Sequence, residues 1–223
     1  MKRIHEAGLS RIHIGLESGY DPLLAFIRKG VTAVDHIKGG RNVVESGISL
    51  SEYVVPGLGG TRWTKEHAVE TARVLNEINP DFIRLRSLHA VPGTDLHEKI
   101  LNGEFVPLSD NEVVAEIRCF IENLEGIGST VVSDHILNLL EDIQGTLPND
   151  KERMLSVIDE YLALSEKDQL IFRLGRRKGI FRGLDDLSDS GTYNQLRRTV
   201  EQYEHKAPGQ LDKDLNRMMH YYI

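Results

Sequence analysis

A repeated unit in the first half of the chain limits the folds that are open to it. A helix ends at Gly or Pro, a short apolar strand follows, and the strand ends in a Gly-rich turn, in the stretches 7–19, 46–60 and 78–93. Strand followed by helix, repeated, is typical of a parallel α/β sheet or barrel. Ligands of such folds bind at the carboxyl ends of the strands. We therefore expect the functional site near the turns that end these strands.

From Ser109 onward the sequence changes to helical patterns. Ser109 and Glu112 have the spacing of a capping box, and Thr64 is expected to begin an earlier helix. A brief strand is expected at 129–133, inside the helical part. We predict an α/β fold with two parts. Residues 1–108 form a partial parallel (βα) barrel or open sheet, and residues 109–223 form a mostly helical extension.

Composition excludes several classes of protein. The chain is 40% apolar and 27% charged, which suits a globular protein. No apolar run approaches the roughly 18 residues that a membrane helix needs, and the first residues lack a secretory signal pattern. The net charge of −7 gives no strong nucleic-acid signal. Cys119 is the single cysteine, so no internal disulfide forms, and we expect a cytoplasmic protein.

Polar clusters along the chain leave several alternatives open. The nine histidines, His220 among them, show no HxxxH or HxH pair, so we predict no metal site. Arg84 and Arg86 alternate on one strand and face either an anionic ligand or helix acids, the second being slightly favoured. Asp134 either lines the site or begins a helix. The basic run 173–182 is expected to form a solvated helix face.

Three motifs resemble a known superfamily. The stretches GLESGYDPLLAFIRKGVT (15–32), PGLGGT (56–61) and IRLRSLHAVPGTDL (83–96) occur in order and at βα spacing. They resemble the later strands of a radical S-adenosylmethionine (radical SAM) barrel, in the branch of coproporphyrinogen oxidase-like and methylthiotransferase-like enzymes. The resemblance covers about residues 1–105. It implies S-adenosylmethionine as cofactor, and a [4Fe–4S] cluster on three cysteines spaced CxxxCxxC. That motif is absent here, so we expect a barrel without its first half: a fragment, a mis-assigned start or a split gene.

The resemblance also implies cofactor-binding positions. They are Glu17, Ser18, Lys29, Gly57 and Gly59, with the cluster present only if the missing amino-terminal half is supplied. Each has a purely structural alternative. Glu17 with Ser18 could cap a turn, Lys29 could be a solvated helix-end charge, and the glycines could form a tight turn without a ligand.

The resemblance favours one function among three. It implies a radical SAM-type oxidoreductase or transferase, in which this chain supplies cofactor-side and substrate-side walls and is not active alone. The first alternative is a non-catalytic binding or assembly module that needs a partner chain. The second is an unrelated α/β-barrel enzyme with Glu17 or His89 as base. Because half a barrel leaves a strand edge unpaired, we expect self-association or pairing with the missing half.

Overall fold

A single sheet organises the chain. The computed structural model describes residues 1–218, and five strands within them form a sheet in the order β1-β2-β3-β4-β5. Strands β1 to β4 are parallel, and β5 is antiparallel to β4. The strands are β1 (Arg11–Glu17), β2 (Ser49–Val54), β3 (Phe82–Leu85), β4 (Thr130–Val132) and β5 (Gly145–Thr146). The α/β fold with an open, mostly parallel sheet is confirmed.

Helices lie between the strands as far as β4, and the elements of the described chain after β5 are helical. They are α1 (Lys2–Glu6), α2 (Asp21–Phe26), α3 (Ala33–Val44), α4 (Gly60–Ile78), α5 (Asp95–Leu101), α6 (Asp110–Glu122), α7 (Lys151–Ala163), α8 (Glu166–Arg177), α9 (Ser190–Lys206) and α10 (Gln210–Met218), with a 3-10 turn at Leu184–Ser188. Helices α3, α4, α6 and α7 pack in that order, each against the next, and α8, α9 and α10 pack together. Within residues 1–218, no helix combines the length and the apolar character needed to cross a bilayer.

The two faces of the sheet differ in burial. Leu50 and Val54 on β2, Ile83 and Leu85 on β3, and Val131 on β4 are buried in one core with residues of α4 and α6. The residues that alternate with these on β3 and β4 are only half-buried. Alternation of this kind marks a sheet that is covered by helices on one side only. In a complete barrel, the uncovered face would be the interior.

Local sequence signals mark the starts of two helices. The capping box of Ser109 and Glu112 is present at the start of α6, as predicted. Helix α4 spans Gly60–Ile78, but Trp63 has non-helical dihedral angles (φ −134°, ψ 23°), so the regular helix restarts at Thr64, where the sequence predicts its start. The Thr64 hydroxyl donates to Glu116 Oε2 at 2.7 Å. A distant acceptor therefore takes the group that local sequence assigned to a cap.

The sheet continues beyond residue 108. Strand β4 lies where a strand was expected at 129–133, and β5 was not predicted. Both extend the sheet begun by β1 to β3. The rest of the described chain after residue 109 is mainly helical. The division into 1–108 and 109–223 stays a prediction.

Candidate functional site

Glu17 and Lys29 meet at the carboxyl end of β1. Lys29 Nζ donates to Glu17 Oε1 at 3.1 Å, and both side chains are about a quarter exposed. Glu17 lies at a β-bulge and adopts φ 61°, a left-handed conformation that is uncommon outside glycine. A Cβ at Gly15 would overlap Glu17 Oε1 and approach Lys29 Nζ to 3.1 Å. The missing side chain of Gly15 therefore makes room for this ion pair.

Two buried titratable groups lie within electrostatic reach of this pair. Glu52 is 0% exposed, and neither of its carboxyl oxygens has a hydrogen-bond partner within the described chain. Burial raises the pKa of Glu52 to about 8, and the negative charge of Glu17 adds to the rise, while Lys29 opposes it. Burial lowers the pKa of His36, and the positive charge of Lys29 lowers it further. His36 Nε2 is also buried without a hydrogen-bond partner among residues 1–218.

Sequence reasoning missed both of these groups. The sequence did contain a signal for Glu52. It lies two residues from both Leu50 and Val54, which are buried, and so it shares their covered face of β2. An acid at such a position is costly to bury without a partner. No comparable signal marked His36, which lies in a helix of mixed polarity.

Ser18 belongs to a buried hydrogen-bond network. Its side chain is 0% exposed and lies 2.9 Å from His67 Nδ1, and its Oγ accepts from the Tyr20 N–H at 3.1 Å. His67 Nε2 lies 3.0 Å from the Val55 carbonyl oxygen, which places the proton on Nε2. Burial lowers the pKa of His67 to about 4, so the ring is neutral at pH 7. Its 3.6 Å approach to Glu116 Oε1 is therefore not an ion pair.

Glu116 lies next to this network and is bound to the turn after β2. Its carboxylate accepts from the Gly57 N–H at 2.6 Å and from Thr64. Burial raises the pKa of Glu116 to about 7, against the opposing effect of these two hydrogen bonds. Hydrogen bonds through Ser18, His67 and the Val55 carbonyl thus join the ends of β1 and β2, and Glu116 lies beside His67. Ser18 exposes no surface to a ligand in this arrangement, and its cofactor role stays a prediction.

The glycines of the turn have packing roles. Gly57 adopts φ 85°, which favours glycine, and a Cβ there would lie 3.2 Å from Val113. A Cβ at Gly59 would lie 2.7 Å from the Trp63 carbonyl oxygen, closer than such contacts allow. Close packing therefore accounts for Gly59, and a cofactor contact by Gly57 or Gly59 stays a prediction.

The uncovered face of the sheet carries alternating arginine and aromatic side chains. The rings of His13 and Tyr53 stack with centroids 5.6 Å apart, and Tyr53 Oη lies 3.1 Å from His13 Nδ1. The Arg11 guanidinium lies 4.5 Å from the centroid of the Phe82 ring. Arg86 lies 4.7 Å from that of Tyr53. The face therefore presents cations paired with rings.

Arg84 and Arg86 share one carboxylate partner. Both form ion pairs with Asp134, Arg86 Nη1 at 2.8 Å from Oδ1. Asp134 lies just after β4 and does not begin a helix. The favoured alternative, ion pairs with helix acids, is therefore wrong, because the partner is a carboxylate at the end of a strand. Contact with an anionic ligand stays a prediction.

A cavity of about 400 Å³ lies at the carboxyl ends of the parallel strands. Its walls are the Gly57 turn, residues 86–90 after β3, one side of α5 and α6, and the segment 137–143. His89, offered above as a possible base, lines this cavity. Gly57 alone among the five predicted cofactor positions does so, since Glu17, Ser18, Lys29 and Gly59 lie elsewhere.

Buried arginines hold the wall formed by segment 137–143. Arg176 Nε donates to the Leu139 carbonyl at 2.9 Å, and its Nη2 donates to Asn138 O and to Glu141. Arg177 Nη1 donates to the Leu137 carbonyl at 2.8 Å. The prediction of a solvated face for the basic run is wrong for these residues. The segment is neither a helix nor a strand, so its carbonyl oxygens need hydrogen-bond donors from elsewhere. The arginine side chains supply these donors.

The described residues offer few side chains that could bind a metal ion or an iron–sulfur cluster. Among residues 1–218, no group of three His, Cys, Asp or Glu side chains is placed to hold a metal ion. His220 lies outside the described residues. Cys119 is half-buried on α6, and burial raises the pKa of its thiol. A three-thiolate iron–sulfur cluster does not fit a chain with one cysteine.

Comparison with known proteins gave relatives over about half of the chain. A stretch of 108 residues is 26% identical to the tRNA uridine(34) acetyltransferase of Methanocaldococcus jannaschii, covering 48% of this chain and 20% of that protein. The enzyme of the same name from Methanocaldococcus infernus is 26% identical over 111 residues, 49% of this chain and 21% of that one. The resemblance to the radical SAM superfamily is confirmed. No family model matches.

Two further similarities complete the comparison. An uncharacterized Methanocaldococcus jannaschii protein is 28% identical over 113 residues, 51% of this chain and 34% of its own length. The solved structure of Methanocaldococcus infernus Elp3 with an N-terminal deletion is 22% identical, with a TM-score of 0.49, over 60% of this chain and 32% of that one. The matched region thus spans about a fifth to a third of each relative's length.

Proposed function

We propose that this chain forms the later strands of a radical SAM-type barrel and supplies the side of the site that binds S-adenosylmethionine. The observation that carries this proposal is the Glu17–Lys29 pair at the carboxyl end of β1. Next to it lie two buried groups without hydrogen-bond partners in the described chain, Glu52 and His36. Such unpartnered groups beside a partly exposed ion pair are typical of a ligand site.

The chemistry of the cofactor suits these residues. Its amino group and ribose hydroxyls are donors for the Glu17 carboxylate, and its carboxylate is a partner for the Lys29 ammonium. When bound to a reduced iron–sulfur cluster, the cofactor supplies a 5′-deoxyadenosyl radical. The cluster has no ligand set in this chain, so we assign the chain no step that needs it. Its own residues bind and orient.

Titration calorimetry of S-adenosylmethionine into the 223-residue chain tests this proposal. A hydrogen bond to a charged group contributes roughly 1.5–3 kcal/mol, so Glu17→Ala should lower the affinity about ten- to a hundredfold. Lys29→Met should also weaken binding. Lys38→Met is the matched control, because Lys38 is exposed on α3, and it should bind like the unmodified chain. Equal affinity of all four chains, each folded, would reject the assignment.

A second activity, contact with RNA, is favoured by the uncovered sheet face. Two relatives are named as enzymes of tRNA uridine(34). Arg11 beside Phe82 and Arg86 beside Tyr53 combine the cations and aromatic side chains that proteins use to bind single-stranded nucleic acids. A fluorescent anticodon stem-loop should bind the chain and should bind Tyr53→Ala at least about fivefold more weakly, since a stacked base contributes about 1–3 kcal/mol. Tyr203→Ala, on exposed α9, is the control. Equal binding by both variants would exclude this face.

A further inference from the structure

The cavity at the strand ends is walled mainly by apolar side chains. Val113 and Ile117 of α6 line it, and so do Leu137, Leu139, Leu140 and Ile143 of the segment 137–143. At about 400 Å³ it falls within the range of small-molecule sites, which is roughly 300–1,000 Å³. The arginine contacts described above fix the segment 137–143, so this wall is built by specific hydrogen bonds.

The charged side chains that line the cavity have ion-pair partners. Arg86 pairs with Asp134, and Arg177 Nη2 pairs with Asp110 Oδ1 at 3.0 Å. Asp110 in turn pairs with Arg173 as well. A further charge brought in by a ligand would lose its hydration and meet groups that already have partners. The lining therefore favours an uncharged ligand.

The uncharged polar groups are also occupied, with one exception. Ser87 Oγ donates to Asn138 Oδ1, Asn138 Nδ2 donates to Ser133 Oγ, and Ser133 Oγ donates to the Leu140 carbonyl. His97 differs, because its Nδ1 is buried without a hydrogen-bond partner among residues 1–218. A buried polar atom of this kind costs stability unless a ligand or water meets it. A hydroxyl group both donates and accepts, so it complements His97 Nδ1 in either tautomer.

We propose that this cavity binds an uncharged, largely apolar ring compound that carries one hydroxyl group, with the hydroxyl at His97. The apolar body lies between Ile117 and the segment 137–143. The site is separate from the Glu17–Lys29 pair. The proposal does not depend on S-adenosylmethionine or RNA binding.

Calorimetric titration with 2-naphthol, naphthalene and naphthalene-2-sulfonate tests the chemistry of the site. The 223-residue chain should bind 2-naphthol more tightly than either of the other probes. Naphthalene lacks the hydroxyl, and the sulfonate adds a charge that the cavity does not accommodate. Tighter binding of the sulfonate, or no binding of 2-naphthol at millimolar concentration, would overturn the proposal.

Variants of the chain test the location. Val113→Trp fills the cavity and should weaken 2-naphthol binding at least about tenfold, since it removes the space that buries the ring. Val34→Trp is the matched control, because Val34 is 69% exposed on α3, and it should bind as the unmodified chain does. Similar affinities of the two variants would place the probe elsewhere.

His97→Phe tests the hydrogen bond and does not require cavity filling. It keeps a ring of similar shape and removes Nδ1. The affinity for 2-naphthol should fall about two- to tenfold, the effect of one hydrogen bond, while that for naphthalene should not change. An equal loss for both probes would show that His97 acts only through packing, and would overturn the hydroxyl assignment even if Val113→Trp does not fold.

Discussion

The buried carboxyl of Glu52 should make the stability of the chain depend strongly on pH. It lies on the covered face of β2 with no hydrogen-bond partner within residues 1–218. Its pKa is raised from 4.5 to about 8, first by burial and then by the charge of Glu17. Glu52→Gln keeps the shape of the side chain and removes the titration. It is therefore the perturbation that isolates this effect.

The size and sign of the effect follow from proton linkage. Between pH 4.5 and about 8 the native state binds more protons at Glu52 than the unfolded state does, so its contribution to stability falls as the pH rises through this window. One pKa unit corresponds to about 1.4 kcal/mol. From pH 5 to pH 8 the loss is about 3 to 4 kcal/mol, with partial protonation at both ends included. We therefore compare the free energy of unfolding of Glu52→Gln with that of the unmodified chain at each pH. This difference should shift in favour of the variant by about 3 to 4 kcal/mol between pH 5 and pH 8.

Other buried groups also make stability depend on pH. The quantity to measure is therefore the difference in free energy of unfolding between Glu52→Gln and the unmodified chain. Glu116, with its pKa raised to about 7, also lowers stability as pH rises. His67, with its pKa lowered to about 4, acts in the opposite direction between pH 4 and its ordinary value of 6.5. Both contributions cancel when variant and unmodified chain are compared at the same pH.

Urea denaturation followed by circular dichroism at pH 5 and pH 8 gives these free energies of unfolding. Glu45→Gln, on the exposed end of α3, is the matched control and should track the unmodified chain at both pH values. A Glu52→Gln difference that changes by less than about 1 kcal/mol between the two pH values would refute the reasoning, since it would mean that Glu52 is hydrated or paired in solution.

Three further outcomes follow from the structure. Arg176→Met should lower the free energy of unfolding by about 2–5 kcal/mol, since it leaves buried carbonyls and Glu141 without their donor, whereas Lys178→Met, at an exposed position, should change it little. Anaerobic reconstitution should give no stoichiometric iron–sulfur cluster, because Cys119 is the single thiol, and an iron and sulfide assay decides this. The chain should self-associate through edge strand β1, which has a strand neighbour on one side only within the described chain, and a monomer in light scattering would contradict this.

The sequence predicted the features that depend on local pattern. Alternation and turn residues placed β1 to β4, and the spacing of Ser109 and Glu112 placed the start of α6. Glu17 and Lys29 belong to one motif, and the segment between them, which contains α2, brings them within 3.1 Å, while their cofactor role stays a prediction. These signals are readable because the partners are close in the chain, where one turn or strand determines their distance.

Partners far apart in the chain explain what the sequence did not predict. Thr64 looked like a helix cap, but its acceptor Glu116 is 52 residues away. The basic run looked solvated, but Arg176 and Arg177 donate to carbonyls 37 to 40 residues before them. A run of arginines in a sequence shows where positive charge lies. It does not show the acceptors, because every residue type carries a backbone carbonyl. The wall of the cavity depends on those carbonyls. A cavity of this kind therefore cannot be predicted from residue types alone, because its wall depends on contacts between residues that are far apart in the chain.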